Sequence, residues 1–80
     1  MPYFVATYAY TPDTASRDAA RPEHREWLAS LGDTLVLSGP TDAAGAVLVF
    51  EAADAAAVEN LLDQDPFQAH GIVARREVMS

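Results

Sequence analysis

The chain of 80 residues contains no cysteine. Without thiols it can form no disulfide, no iron–sulfur cluster and no thiolate zinc site. The sequence also lacks the histidine and carboxylate spacing of a metal centre, so we expect neither a metal nor a cofactor. Residues 1–80 can fold as a single domain, which buries only ~60–65% of the surface that its unfolded chain exposes. Self-association is the remaining way to bury more surface.

Basic residues are scarce, and lysine is absent. The five basic residues are all arginines, and the chain has twelve aspartates and glutamates, which gives a net charge of −7 at pH 7. Such a charge repels nucleic acid and anionic membranes, and we identify no basic stripe that would overcome it locally. No apolar run approaches the ~18 residues of a membrane span. The first residues lack the basic start of a signal peptide, so the cytoplasm is the expected location.

The spacing of hydrophobic residues predicts four strands and two helices. The predicted strands cover residues 3–10, 34–38, 46–51 and 71–78. Helix one takes Pro22 as its first helical position and ends at Gly32, where glycine is a good stop. Helix two follows Asp54 as its N-cap and ends before Pro66. The order βαββαβ predicts an α+β ferredoxin-like sandwich, an antiparallel four-stranded sheet with both helices on one face.

Both faces of the predicted sheet are apolar. In strand one, Phe4 and Tyr8 alternate with Tyr3 and Val5, and strand three has the same character. A sheet covered on one side only should instead alternate apolar and polar residues. Because two helices cover a single face, we expect the other face to pack on a second copy of the chain in a sheet-to-sheet homodimer.

Two ionisable residues are expected to meet at one edge of this sheet. The inward stripe of helix one places His24 in its first turn, and that of helix two places Asp65 in its last turn. The topology brings both to the same edge as Tyr10 and the turn at Ser38 and Gly39. Asp65 would accept from one imidazole nitrogen and leave the other free as a base. A purely structural contact beneath the dimer interface is the alternative.

Three short motifs together resemble one family. They are Arg21-Pro22-Glu23-His24, then Ser38-Gly39-Pro40, then Asp65-Pro66-Phe67 followed by Gly71. In this order, and over essentially the whole chain, they resemble the YCII-related domain family. The resemblance implies a ferredoxin-like fold, a dimer with facing sheets and an active site built on His24 and Asp65. It also implies lyase-type chemistry on small ring-type substrates, because members have been linked to such reactions.

The remaining site candidates each have two interpretations. Arg21 could clamp a substrate carboxylate or enolate, or pair with a nearby acid. Ser38 and the amides around Gly39 could hold an oxyanion, although Gly-Pro is also common in simple turns. Tyr10 is a candidate pocket wall or a core residue, and Phe67 is expected mainly to pack under helix two, with pocket wall as its second role.

Two further residues are expected to lie outside the site, Trp27 in the core and His70 in a solvated loop. Tyr8 is a candidate for the pocket lining, with the core or the dimer interface as its alternative place.

Two classes of function remain open. In the first, the protein is an enzyme in which His24, oriented by Asp65, moves a proton on a small organic molecule in an elimination. In the second, it is a non-catalytic dimeric module that binds a small metabolite or a protein partner in the same pocket. The sequence contains no serine elbow and no phosphate-binding glycine loop, which leaves acid/base chemistry as the enzymatic option. A purely structural dimer is a third hypothesis.

Overall fold

The computed structural model describes residues 2–80, and their elements follow the predicted order, with one additional short helix before the last strand. They are β1 (Tyr3–Tyr10), α1 (Thr14–Ser30), β2 (Leu35–Thr41), β3 (Gly45–Glu51), α2 (Ala55–Asp63), α3 (Pro66–Ala69) and β4 (Val73–Met79), with a 3-10 turn at Gly32–Thr34. The strand order is β2-β3-β1-β4, and all neighbouring strands are antiparallel. The ferredoxin-like α+β prediction is confirmed. No helix within residues 2–80 is both long and apolar enough to cross a membrane.

Helix α1 begins eight residues earlier than predicted. Asp13 is its N-cap, and its carboxylate accepts from the backbone N–H of Ser16 at 3.0 Å and from the Ser16 hydroxyl at 2.7 Å. Pro22 lies inside the helix, where its missing N–H removes one helical hydrogen bond. The assignment of Pro22 to the first helical position was therefore wrong, because the capping signal at Asp13 lies further upstream. His24 consequently lies in the middle of α1 and not in its first turn.

The end of helix α2 also differs from the prediction. Asp54 is the N-cap as expected and accepts from the Ala57 N–H at 2.8 Å, but the helix ends at Asp63. Asp65 is not in its last turn. It is the N-cap of the short α3, with the extended backbone (ψ 126°) that a residue before proline favours. The Asp65 carboxylate therefore faces the start of a helix, where its charge is stabilised, and not a helix end that would oppose it.

The outer strands β2 and β4 are shifted relative to their predicted ranges. Strand β2 continues through Gly39 and Pro40 to Thr41, whereas the prediction ended it at Ser38. An edge strand tolerates proline, because the missing N–H can face away from the ladder. Strand β4 begins at Val73 and extends one residue beyond the predicted end.

The core lies between the sheet and the helices. Its buried members come from the helix-facing side of β1 and β3, from α2 and from the loop before it: Phe4, Ala6, Tyr8, Ala46, Leu48, Phe50, Ala52, Val58 and Leu62. Trp27 packs against this cluster, in agreement with its predicted place in the core. A second, smaller cluster of Ala20, Phe67 and Ile72 lies beneath α1 and α3. Both clusters are on the helix side of the sheet.

The opposite face of the sheet is uncovered in the single chain and carries an apolar patch beside the polar Thr7 and Glu77. Tyr3, Leu37 and Met79 are exposed there, at 59%, 55% and 46%. Cross-strand pairing places Val5 opposite both Val49 and Met79, so these residues share that face. The exposed apolar residues expected on the second face are therefore present, although Glu51, Glu77 and Arg75 share that face.

Candidate active site

A buried hydrogen bond joins His24 to Asp65. The distance from His24 Nδ1 to Asp65 Oδ1 is 2.7 Å, and the two residues are 9% and 0% exposed. The expectation that they meet is confirmed, although each lies at a different helical position from the one predicted. With Nδ1 bound to Asp65, Nε2 is the ring nitrogen without a hydrogen-bond partner among residues 2–80.

Two further donors hold the Asp65 carboxylate. The Tyr8 hydroxyl donates to Oδ2 at 2.8 Å, and the Phe67 backbone N–H donates to Oδ1 at 3.0 Å. Burial, together with the charge of Asp65 and this hydrogen bond, raises the pKa of Tyr8 far above its ordinary value. Tyr8 therefore remains a protonated donor. It belongs to the buried core on the helix-facing side of β1, next to Asp65.

Phe67 contacts the imidazole directly. Its ring stacks on the ring of His24 with centroids 3.9 Å apart and planes 2° apart, and Trp27 lies 5.9 Å away on a tilted plane. Tyr10 meets Phe67 edge to face at 5.6 Å. Phe67 lies in the small cluster with Ala20 and Ile72 and not in the main cluster that holds the α2 side chains, so the prediction that it packs mainly under helix two was wrong. It also lines a cavity.

A cavity of about 310 Å³ opens between α1 and the β2–β3 part of the sheet. Six of the seven residues proposed from the sequence line it: His24, Arg21, Ser38, Gly39, Tyr10 and Phe67. The seventh, Asp65, is fully buried and hydrogen bonded to His24. Ser38 faces the cavity side of the sheet, because it pairs with the buried Leu48 of β3. The fold thus gathers residues from five elements around one space.

Two arginines that sequence reasoning missed also line this cavity. Arg17 and Arg25 lie four residues before and after Arg21, and all three face the cavity from α1. No aspartate or glutamate is among the residues that line it. No basic stripe was identified in the sequence, and this was wrong for α1, where three arginines lie along one face. The error follows from the misplaced start of helix one, which left Arg17 outside the helix.

The contacts of these arginines differ. Arg21 forms an exposed ion pair with Asp18 at 3.0 Å, which is the nearby-acid interpretation raised for it. The Arg17 guanidinium lies 4.7 Å from the centroid of the Tyr10 ring and donates to the Thr11 carbonyl at 3.2 Å. Burial and the charge of Asp65 raise the pKa of Tyr10, while Arg17 and Arg21 oppose this shift.

Comparisons with known proteins identify the family and the fold of this chain. Residues 1–80 match the YCII-related domain family over the whole chain. The protein belongs to the YCII-related domain family. Its structure is similar to that of 5-chloro-2-hydroxyhydroquinone dehydrochlorinase from Burkholderia phenoliruptrix AC1100, solved in complex with 2,5-dihydroxybenzoquinone. The TM-score is 0.90 at 23% identity, covering 99% of this chain and 92% of the other.

A second solved structure is more distant. Protein Atu4242 from Agrobacterium tumefaciens aligns with a TM-score of 0.55 at 12% identity, covering 98% of this chain and 90% of the other. At such identities the two likenesses establish the fold. No functionally curated protein matches the sequence.

The motifs that carry the YCII resemblance come together in space. Arg21 and His24 lie on one face of α1, Ser38 on β2, and Asp65 and Phe67 at the start of α3. His70 lies apart at the surface, with its side chain 54% exposed and Nε2 3.8 Å from a Glu23 carboxylate oxygen. Its assignment to a solvated position is confirmed. Residues 2–80 contain no group of three histidine or carboxylate side chains arranged for a metal ion.

Proposed function

We propose that this YCII-related protein is an enzyme in which His24 acts as general base and acid on a small organic molecule. The observation that carries the proposal is the buried His24–Asp65 hydrogen bond beside a cavity that the imidazole lines. Asp65 holds Nδ1, so Nε2 is available to take or give a proton. Tyr8 and the Phe67 amide keep the carboxylate in place. An aspartate so held orients the ring and stabilises the imidazolium that forms.

The proposed reaction is an elimination. Nε2 of His24 removes a proton from a carbon of the substrate, and the electrons of the broken C–H bond form a new double bond. The leaving group departs from the neighbouring carbon with its bonding pair. Arg21 and Ser38 bind polar groups of the substrate, and Tyr10 and Phe67 form the walls. A dehydrochlorinase with the same fold supports this class of reaction.

The size of the cavity fits this proposal. About 310 Å³ is at the small end of the ~300–1,000 Å³ typical of ligand pockets, enough for one ring-sized molecule. Its lining combines apolar walls, such as Leu28 and Phe67, with polar side chains that include His24, Ser38 and three arginines. Apolar walls exclude water from a bound ligand, and the polar groups fix its orientation.

The test is turnover by matched histidine variants. Chloride release from a panel of chlorinated hydroquinones is measured for the wild-type protein, His24→Gln and His70→Gln. Loss of a general base lowers rates by ~10²–10⁴-fold, so His24→Gln should lose at least a hundredfold while His70→Gln retains turnover. Equal rates in the wild type and His24→Gln would refute the acid/base role. Binding of a panel member with no product would favour the non-catalytic module instead.

We also propose that the protein is a homodimer through its uncovered sheet face. Exposed Tyr3, Leu37 and Met79 form an apolar surface that a monomer rarely leaves in water. The cavity lies on the helix side of the sheet, so this dimer leaves its entrance open. Light scattering after gel filtration should give twice the chain mass. Val49→Glu on that face should yield monomers, whereas Ala56→Glu on the exposed side of α2 should not, and a monomeric wild type would rule the dimer out.

A further inference from the structure

Three of the five basic side chains of this acidic protein line one cavity. Arg17, Arg21 and Arg25 form a row along α1, and no carboxylate lines the same space. We propose that the ligand is a small organic dianion, held by Arg17 and Arg25 in addition to Arg21. This inference rests on the proposed ligand site and adds the charge of its occupant.

The protein does not neutralise the charges of Arg17 and Arg25. The contacts of Arg17 are the Thr11 carbonyl and the Tyr10 ring, neither of which carries a negative charge. Arg25 forms no ion pair with any carboxylate in residues 2–80. Arg76 shows the contrast, because Asp63 and Glu59 flank it at 2.7 and 3.1 Å. In a chain with twelve acidic residues, two uncompensated arginines at one cavity are charges left for a ligand.

Arg17 is also fixed before any ligand arrives. Its guanidinium is held between the Tyr10 ring, 4.7 Å from the centroid, and the Thr11 carbonyl at 3.2 Å. A guanidinium already restrained in this way loses less conformational entropy when it binds an anion. Arg17 is therefore a preorganised anion-binding group, while the exposed Arg25 can move to meet the ligand.

The position of His24 links this row of charges to the chemistry. His24 follows Arg21 by three residues and immediately precedes Arg25, so the base lies within the arginine row. When a base removes a proton from carbon, negative charge develops on the ligand. Fixed positive groups beside that charge stabilise it, and more strongly in a partly enclosed site than in water. The ligand is thus expected to carry ionised enolate, phenolate or carboxylate oxygens.

The aromatic side chains make part of the cavity wall apolar. Phe67 stacks on His24, and the Arg17 guanidinium lies over the ring of Tyr10, so both rings line the cavity beside a polar or charged group. A ligand with an apolar body and two ionised oxygens fits both these walls and the arginine row.

The test is a calorimetric binding series that varies only charge. The probes are 2,5-dihydroxybenzoquinone, which is a dianion at neutral pH, its neutral dimethyl ether, and terephthalate as a dicarboxylate of similar outline. We expect at least one dianion to bind and the ether to bind at least tenfold more weakly, since hydrogen bonds to charged groups are the strong ones. Raising the salt concentration from about 0.05 to 0.5 M should lower the affinity for the dianion, because salt screens exposed charges. Comparing the quinone with terephthalate distinguishes ring enolates from carboxylates.

Arginine variants locate the effect. Arg17→Gln and Arg25→Gln should each weaken dianion binding about tenfold, the loss of one charge-assisted contact. Arg75→Gln is the matched control, because it removes the same charge from β4, away from the cavity. Its affinity should stay within about threefold of the wild type, since distant exposed charges are screened. Thermal melting checks that each variant is folded.

Three results would overturn the inference: equal binding of the dianion and its ether, equal losses in Arg25→Gln and Arg75→Gln, or no binding by either dianion. The proposed elimination is tested separately, by turnover in His24→Gln. If the neutral ether bound as well as the dianion, the proposed anion preference would be refuted, and the proposed acid/base role of His24 would be unaffected.

Discussion

The rings of His24 and Phe67 lie face to face, 3.9 Å between centroids and 2° between planes. Phe67 also donates its backbone N–H to Asp65, the residue that holds His24 Nδ1. One residue thus fixes the plane of the imidazole with its side chain and the position of the carboxylate with its main chain. The orientation of the candidate base depends on the first turn of α3.

Replacing the stacked ring should disturb His24 while keeping the fold. Phe67→Leu retains an apolar side chain of similar size, so we expect a stability loss below about 1.5 kcal/mol. The His24 ring protons should shift downfield in the NMR spectrum, because they no longer lie over an aromatic face. Phe4→Leu, in the main core, is the control and should leave these signals in place. Unmoved His24 signals in Phe67→Leu would contradict the stacked geometry.

Removing the Tyr8 hydroxyl should destabilise the protein at neutral pH. Tyr8→Phe leaves Asp65 Oδ2 buried without its donor. A hydrogen bond to a charged group contributes about 1.5–3 kcal/mol, and we expect a loss of that size in urea unfolding. Ser30→Ala removes an exposed hydrogen bond to the Trp27 carbonyl and, as the control, should cost less than about 0.5 kcal/mol. An unchanged midpoint for Tyr8→Phe would show that the bond contributes nothing.

The same variant should change how stability depends on alkaline pH. The pKa of Tyr8 is raised in the folded protein by burial and by Asp65. Below about pH 10 both states keep the proton, and above it only the unfolded chain loses the proton, so stability falls as pH rises. The wild type should therefore lose more stability between about pH 8 and pH 11 than Tyr8→Phe does. If stability fell equally with pH in the wild type and in Tyr8→Phe, the pKa of Tyr8 would be the same in the folded and unfolded states.

Two glycines at the cavity should respond differently to a methyl group. At Gly45, a Cβ would collide with the Tyr8 carbonyl oxygen, whereas at Gly39 nothing lies within 4 Å. Because the neighbour of Gly45 is backbone and cannot rotate away, Gly45→Ala should cost about 1–3 kcal/mol in urea unfolding. Gly39→Ala should stay within about 0.5 kcal/mol of the wild type. Equal effects would argue against the close approach of β1 and β3 at this point.

Substitutions in α1 test where this helix starts. With Pro22 in the helix interior, Pro22→Ala restores a backbone donor and should raise stability by about 1–2 kcal/mol. Asp13→Ala should lower the melting temperature, because it removes the acceptor for two bonds from Ser16. If Pro22→Ala instead destabilised the protein and Asp13→Ala had no effect, the helix would begin near Pro22.

Local signals in the sequence were enough to predict the fold. Alternating apolar residues marked the strands, and the range of β1 was predicted without error. The N-cap at Asp54 was also recognised, since capping depends on neighbouring residues alone. Helix boundaries were less predictable at Pro22 and Pro66. Proline is common in the first turn of a helix, but it can also lie inside a helix at the cost of one hydrogen bond.

The candidate site was only partly predictable. The motifs identified His24 and Asp65, and the chain order brought them to one edge of the sheet. Neither Tyr8 as a donor to Asp65 nor the stacking of Phe67 could be inferred, because both depend on the direction of side chains across packed elements. Arg17 and Arg25 were missed for a simpler reason, since their common face appears only when the helix starts at Thr14.

By itself the sequence determined the order of elements, the absence of thiol chemistry, the acidic charge and the two apolar faces of the sheet. Each of these follows from composition or from a periodicity over a few residues. Only the tertiary structure decided that three arginines share a cavity and that Asp65 lies buried between Tyr8, His24 and Phe67. Such contacts join residues up to 57 positions apart, and their geometry is set by packing across the whole domain.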